Sequence, residues 1–151
     1  MVICISANTS WYLFNFRQGL IRRLVEEGYQ VIALAPLEER YSRRLEELGC
    51  IFVPLSLAPH HINPVKEIFL IAQYLRVFLT HRPELVMLFT IKPVIFGSFA
   101  ALFSGRKYVC TLTGLGSFFL RSKSSELIFK VLLRLALARA TTVFTQNPDD
   151  Y

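Results

Sequence analysis

The sequence predicts an α/β domain, a doubly wound parallel sheet of about six strands with helices on both faces. Three observations carry this. Short apolar runs of four to five residues recur along the chain and do not alternate with polar residues, as expected for strands covered on both sides. Between them lie stretches with apolar residues at helical spacing. The junctions carry glycines and Asn-Pro or Lys-Pro pairs where helices end and begin. Alternation of β and α units in this way builds a parallel sheet.

The elements follow in order. Val2–Ser6 is the first strand. A helix is then marked by Phe16, Leu20 and Leu24 with Ile21 and Val25, and Asn15 with Gln18 has the form of a capping box that opens it. Glu27-Gly28 closes it before the strand Val31–Ala35. Tyr41, Leu45 and Leu48 mark the second helix, Gly49 its end, and Ile51–Pro54 the third strand. Asn63 caps the third helix, with Pro64 at its first position and Ile68, Ala72, Leu75 and Leu79 along it. Leu85–Phe89 is the fourth strand, and Lys92-Pro93 repeats the cap-then-proline form ahead of the apolar stretch Val94–Phe103. Tyr108–Leu112 is the fifth strand. Leu127, Val131 and Leu135, with Ile128 and Leu132, mark the last full helix before the strand Thr142–Thr145. Residues 1–145 thus read as one domain. Residues 146–151 read as the start of another helix, with Asn147 as cap, Pro148 first, and Asp149 and Asp150 at the positive end of the dipole. One turn is not stable alone, so the expectation is an interrupted or split protein whose second domain is not in this chain.

Composition narrows the class. The 151 residues are 53% hydrophobic and carry a net charge of +6, too apolar for a disordered chain. A basic, apolar surface suits an anionic membrane face or a phosphate-bearing substrate. No apolar run reaches the ~18 residues of a spanning helix. Gly97 and Ser98 interrupt Val94–Phe103, and Lys130 and Arg134 interrupt Leu127–Ala138. The first strand begins at Val2 without a basic leader, so no secretory signal is indicated. Cys4, Cys50 and Cys110 fit no metal or redox spacing and read as buried thiols of a cytoplasmic protein. The aromatic residues lie in apolar stripes and strands rather than interleaved with Lys and Arg, which disfavours nucleic acid as a partner.

Ligands of an open parallel sheet bind at the carboxyl ends of its strands. Those positions here are Asn8, Thr9 and Ser10, then Pro36, His60-His61, Thr90-Ile91-Lys92 and Thr113-Gly114-Leu115-Gly116. No GxGxxG or GxxxxGK[ST] is present, which disfavours a nicotinamide, flavin or Walker-type nucleotide site. Arg17, taken to lie in the first turn of its helix, would oppose the dipole unless it meets an anion that the amides also face; an exposed arginine tolerated at low cost is the equal alternative. Gly114 and Gly116 would let backbone amides approach a phosphate, and the Lys92 ammonium at a helix N-cap would neutralise one. Either His60 or His61 can serve as acid or base, although adjacent loop histidines more often face solvent. No catalytic triad, metal cluster or carboxylate pair can be assembled.

Taken together, Ala7-Asn8-Thr9-Ser10-Trp11, Phe14-Asn15-Phe16-Arg17, Thr90-Ile91-Lys92-Pro93 with Gly97-Ser98, Thr113-Gly114-Leu115-Gly116 and Gln146-Asn147-Pro148-Asp149-Asp150 resemble, in order, the family-4-like bacterial glycosyltransferases. The likeness spans essentially the whole chain. It is similar above all to the subgroup that adds a hexose or N-acetylhexosamine to an undecaprenyl-diphosphate-linked sugar in glycan, capsule or O-antigen synthesis. The resemblance implies a GT-B fold of two Rossmann-like domains, of which this chain is the N-terminal, acceptor-side one. It implies retaining transfer from a nucleotide sugar without a metal or other cofactor, at the inner face of the cell membrane. The donor-binding domain, with its E-x7-E glutamate pair, would be elsewhere. By the resemblance Asn8, Thr9, Ser10, Asn15, Arg17, Lys92, Thr113, Gly114 and Gly116 line the cleft, and Lys130, Arg134 and Arg139 meet anionic lipid. Many relatives carry a histidine where this chain has Thr113-Gly114, so no catalytic residue is assigned. The alternative to an enzyme half is a stand-alone acceptor-binding, membrane-anchoring subunit of a split glycosyltransferase.

Overall fold

The computed structural model describes residues 1–57, 63–113 and 123–146, with the side chains of 123–126 excepted. Six strands form one parallel sheet: β1 Val2–Ser6, β2 Gln30–Ala35, β3 Ile51–Pro54, β4 Leu85–Phe89, β5 Lys107–Leu112 and β6 Thr142–Thr145, in the order β3-β2-β1-β4-β5-β6. The helices are α1 Ser10–Glu26, α2 Glu39–Glu47, α3 Pro64–His81, α4 Ser98–Phe103 and α5 Lys123–Leu137, with a π-helical stretch Pro93–Gly97 leading into α4. The β1 register, Cys4 beside Ile32 on one side and Val86 on the other, places β1 at the centre.

Two apolar clusters sandwich the sheet. Ile5, Ala33 and Phe89 pack with Leu13, Ile21 and Leu45 from α1 and α2. On the opposite face Cys4, Leu88 and Cys110 pack with Tyr74 and Phe78 of α3, Val94 and Ala101 from the β4–β5 connection, and Phe129 and Leu133 of α5. The handedness of β-α-β crossovers accounts for this division. The first two connections run outward from β1 toward β3, and the last three return toward β4, β5 and β6, so their helices fall on opposite faces.

Local signals explain most boundaries. The Asn63 carboxamide oxygen accepts from the amides of Val65 and Lys66 at 3.0 and 3.4 Å, capping α3 as expected. Gly49 follows α2 with φ +92°, where a side chain is strained. Gly97 allows a close approach: a Cβ there would lie 2.7 Å from the Leu88 side chain. Among the described residues no helix is long and apolar enough to cross a membrane.

Three sequence expectations are corrected. Helix α1 opens five residues before Asn15. Thr9 is its N-cap, extended and accepting from the Tyr12 amide at 3.0 Å, and Asn15 sits inside the helix with its carboxamide donating to the Trp11 carbonyl at 2.8 Å. Lys92 already has helical dihedrals; the turn begins after Thr90, whose carbonyl accepts from the Val94 amide. The stripes read along α3 and α5 point outward: Ile68 and Leu79, and Leu127, Ile128, Val131 and Leu135, are exposed, whereas Leu70, Tyr74, Val77 and Phe78, and Phe129, Leu133 and Ala136, are buried. Both helices are apolar around much of their circumference, so spacing alone does not choose the packed face.

Burial also sets the thiol chemistry. Loss of hydration pushes Cys4 and Cys50 up to about 12 and, foremost among its causes, Cys110 up to about 11, from an ordinary 9.0. The fold therefore holds these protons more tightly than the unfolded chain does. Stability should be intact below pH 9.0 and fall as pH rises from there toward the folded-state values. Urea unfolding across that range checks this, and Cys→Ala variants should flatten the alkaline decline. The native thiols should also resist a disulfide reagent until the chain unfolds.

Candidate functional site

Strand order reverses between β1 and β4: the chain leaves β1 toward β2 on one side and returns through β4 on the other. Their carboxyl ends part there and leave the crevice at which doubly wound sheets bind ligands. Two loops meet in it. The Asn8 amide donates to the Thr90 hydroxyl at 2.9 Å, and that hydroxyl also lies on the Phe89 carbonyl. Thr90 has φ +65°, an uncommon conformation for a β-branched residue, and such outliers concentrate at functional sites. Two buried polar atoms at this crevice, Asn8 Oδ1 and Arg17 Nε, have no hydrogen-bond partner among the described residues.

Arg17 lies two turns into α1, not in its first turn. Its guanidinium packs 4.4 Å over the Phe89 ring and 5.5 Å over the Tyr12 ring, and donates to the Tyr12 hydroxyl at 2.9 Å. The dipole argument for an anion partner therefore lapses, and cation–π attraction holds the side chain at the rim. Two first-turn amides of α1 are engaged from within the chain. Glu38 Oε2 accepts from the Trp11 amide at 2.8 Å, and Thr9 caps that of Tyr12. A carboxylate thus stands at the positive end of this helix, where an anionic ligand was expected.

The remaining sequence candidates separate by location. Thr9 is partly buried and spends its hydroxyl on capping. Ser10 faces inward: it is fully buried and donates to the Pro36 carbonyl at 2.6 Å, tying α1 to the β2–α2 connection. Asn15 is exposed on the outer side of α1. Lys92 also faces inward, against the expectation of an ammonium at the rim. Its Nζ lies 2.6 Å from Glu67 Oε1 of α3, with side-chain exposures of 1% and 9%. The helical turn beginning after Thr90 directs this side chain toward α3, and burial makes a carboxylate partner necessary. Thr113 is half-buried at the end of β5. Gly114, Gly116 and His60-His61 lie outside the described residues, as does Asn147–Asp150. Lys130, Arg134 and Arg139 are exposed at α5 and just beyond it.

Sequence reading missed Glu67, Glu38, Tyr12 and Phe89. Glu67 had only a weak signal, an acidic residue beside Lys66 in the first turn of an apolar helix. Glu38 had none, because its partner amide lies twenty-seven positions away. Among the described residues no group of three or more His, Cys, Asp or Glu could hold a metal ion.

The sheet order, the loops meeting at its reversal and the α/β layering define a Rossmann-like domain, one half of a GT-B architecture. The family model described as glycosyl transferase 4-like matches residues 2–147, and the chain belongs to that family. No curated protein matches it. Solved structures share the fold. Acinetobacter baumannii MurG superposes with a TM-score of 0.66 at 16% identity, over 99% of this chain and 42% of that one. A glycosyltransferase from Rickettsia africae gives 0.65 at 12% identity, over 88% and 34%. Anabaena HepE, in complex with UDP and glucose, gives 0.65 at 17% identity, over 95% and 37%. The chain spans about two fifths or less of the length of these structures.

The buried ion pair gives a direct test. Glu67→Gln leaves the Lys92 charge buried without its carboxylate and should lower the unfolding free energy by about 3–5 kcal/mol. Lys92→Met with Glu67→Leu should recover most of that loss in urea denaturation.

Proposed function

We propose that the chain is the N-terminal, acceptor-side half of a retaining glycosyltransferase that moves a sugar from a nucleotide donor to an undecaprenyl-diphosphate-linked saccharide. The observation that carries the reading is the family match over residues 2–147 on a domain whose loops converge at the sheet reversal. The nucleotide-sugar part draws on HepE, whose structure holds UDP and glucose. In this reading the bond between the anomeric carbon and the donor diphosphate breaks, the acceptor oxygen bonds to that carbon on the same face, as retention requires, and the acceptor's proton passes to the departing diphosphate. Negative charge then grows on the departing diphosphate, where positioned donors and cations lower the barrier. This half would contribute the crevice of Asn8, Thr90 and Arg17. A second Rossmann-like domain, on the same protein or a partner chain, would hold the nucleotide.

Helix α5 supports the membrane part. Leu127, Ile128, Val131 and Leu135 are exposed beside Lys130 and Arg134, the pattern of a helix lying on an anionic surface. Each basic side chain near such a surface contributes roughly 1 kcal/mol. In this reading the protein would work at the inner face of the cell membrane, as a peripheral protein.

Two measurements check the reading. Transfer from a nucleotide sugar to a polyprenyl-diphosphate saccharide should be undetectable with the purified chain and appear when a donor-binding domain bearing the E-x7-E pair is supplied. Turnover by the chain alone would remove the need for that second half, and silence of the pair would sink the transferase reading. In flotation with phosphatidylglycerol vesicles, Lys130→Glu with Arg134→Glu should weaken binding by at least about tenfold at low salt.

A further inference from the structure

We propose that Trp11, Tyr12 and Phe16 form a stacking platform for a pyranose ring of the acceptor saccharide. The inference rests on the acceptor-side reading and deepens it.

These three aromatics occupy the first two turns of α1, at the carboxyl edge of the sheet beside the crevice. Trp11 is 43% exposed and Phe16 57%. Tyr12 packs against the core, whereas Trp11 and Phe16 belong to neither core cluster, and Ser10, Leu13 and Ile21 fill the inward side of the helix. They are nevertheless ordered against one another. Trp11 meets Phe16 edge-on, with ring centres 5.4 Å apart and planes at 82°. Tyr12 lies 5.1 Å from Phe16, and 6.5 Å from the buried ring of Phe89. Arg17 closes the row over Tyr12 and Phe89. The exposed rings are therefore braced through Tyr12 to the sheet, which lowers the entropy lost when a ligand settles on them.

The Trp11 backbone is held at both ends, its amide by Glu38 and its carbonyl by the Asn15 carboxamide. This sets a carboxylate and an amide at the margin of the aromatic surface. A pyranose offers matching chemistry, an apolar face of C–H groups and an edge of hydroxyls that donate and accept. An acyl chain would strip water from the charged Glu38 carboxylate and from the Asn15 carboxamide, which costs free energy. An anionic headgroup would meet the Glu38 carboxylate. The polar margin thus favours a sugar over lipid at this patch, whereas the exposed face of α5 has the opposite character.

Trp11 is the chain's only tryptophan, so its fluorescence reports on the platform alone. The purified chain is titrated with glucose, N-acetylglucosamine, N-acetylgalactosamine and di-N-acetylchitobiose, and separately with phosphatidylglycerol vesicles. A saturable emission change with at least one saccharide is expected, with half-saturation in the millimolar range, near ~1–10 mM. Phe16→Ala should weaken it by about tenfold or more while the far-ultraviolet dichroism stays unchanged. Leu127→Ser, on the distant α5, should leave it intact. No saturable change with any saccharide, or a shift with vesicles alone, overturns the platform. The two-chain transfer assay separates the ideas: transfer unaffected by Phe16→Ala with a silent titration removes the platform and leaves the transferase reading standing, whereas absence of transfer with the unaltered chain removes the transferase reading itself.

Discussion

The pairing of β1 with β4 as well as β2 is the constraint on which the rest of this structure depends. A central strand flanked by the strands of two opposite-running connections leaves its carboxyl end uncovered, because each following loop turns away to its own face. Asn8 and Thr90, eighty-two positions apart, become neighbours only through this pairing. The hydrogen bond between them fixes one loop against the other, and Thr90 takes an unfavourable backbone conformation to make it. The crevice is therefore a property of the sheet order, and no single segment contains it.

Charge is distributed around this frame in a way composition alone would misstate. Net charge is +6, yet two of the candidate cations are committed within the domain. Arg17 lies on aromatic rings at the rim, and Lys92 is buried against Glu67. In the same region Glu38 sits at the amino end of α1. The crevice of this half is thus more aromatic and less cationic than its sequence implies, a character that suits a saccharide more than a bare diphosphate. The charges of α5 lie far along the chain from these loops, among exposed aliphatic residues, so the basic, aliphatic surface and the aromatic rim belong to different elements.

Most of the fold was legible. All six strands lie within one residue of their expected bounds, because each is a short, largely apolar run set off from a helical stretch. The inner strands β2, β1, β4 and β5 are largely buried as expected, whereas the edge strands β3 and β6 stay partly exposed. The N-cap of α3 and the glycine ending α2 were also plain, since both act on their immediate neighbours. The start of α1 was not. Asn15 and Gln18 imitate a capping box, and the true cap, Thr9, precedes a run of aromatics that tertiary contact holds helical. The family was legible too, from five short blocks in order, and the match over residues 2–147 agrees with it.

What the sequence by itself determined is the alternation of elements, the strand bounds and the family, all of which are written in local spacing and local chemistry. The tertiary structure alone decided which face of each apolar helix is buried, which cations reach the rim, and which residues meet at the sheet reversal. The physical reason is the same for all three. Periodicity states that a helix has an apolar side but not which of two apolar sides a neighbour will cover. A side chain's charge states what partner it needs, but not where in the chain that partner lies. Lys92 shows this most directly: read alone it is a cation near a strand end, and only the packing of α3 across the sheet brings Glu67 to it and turns it inward.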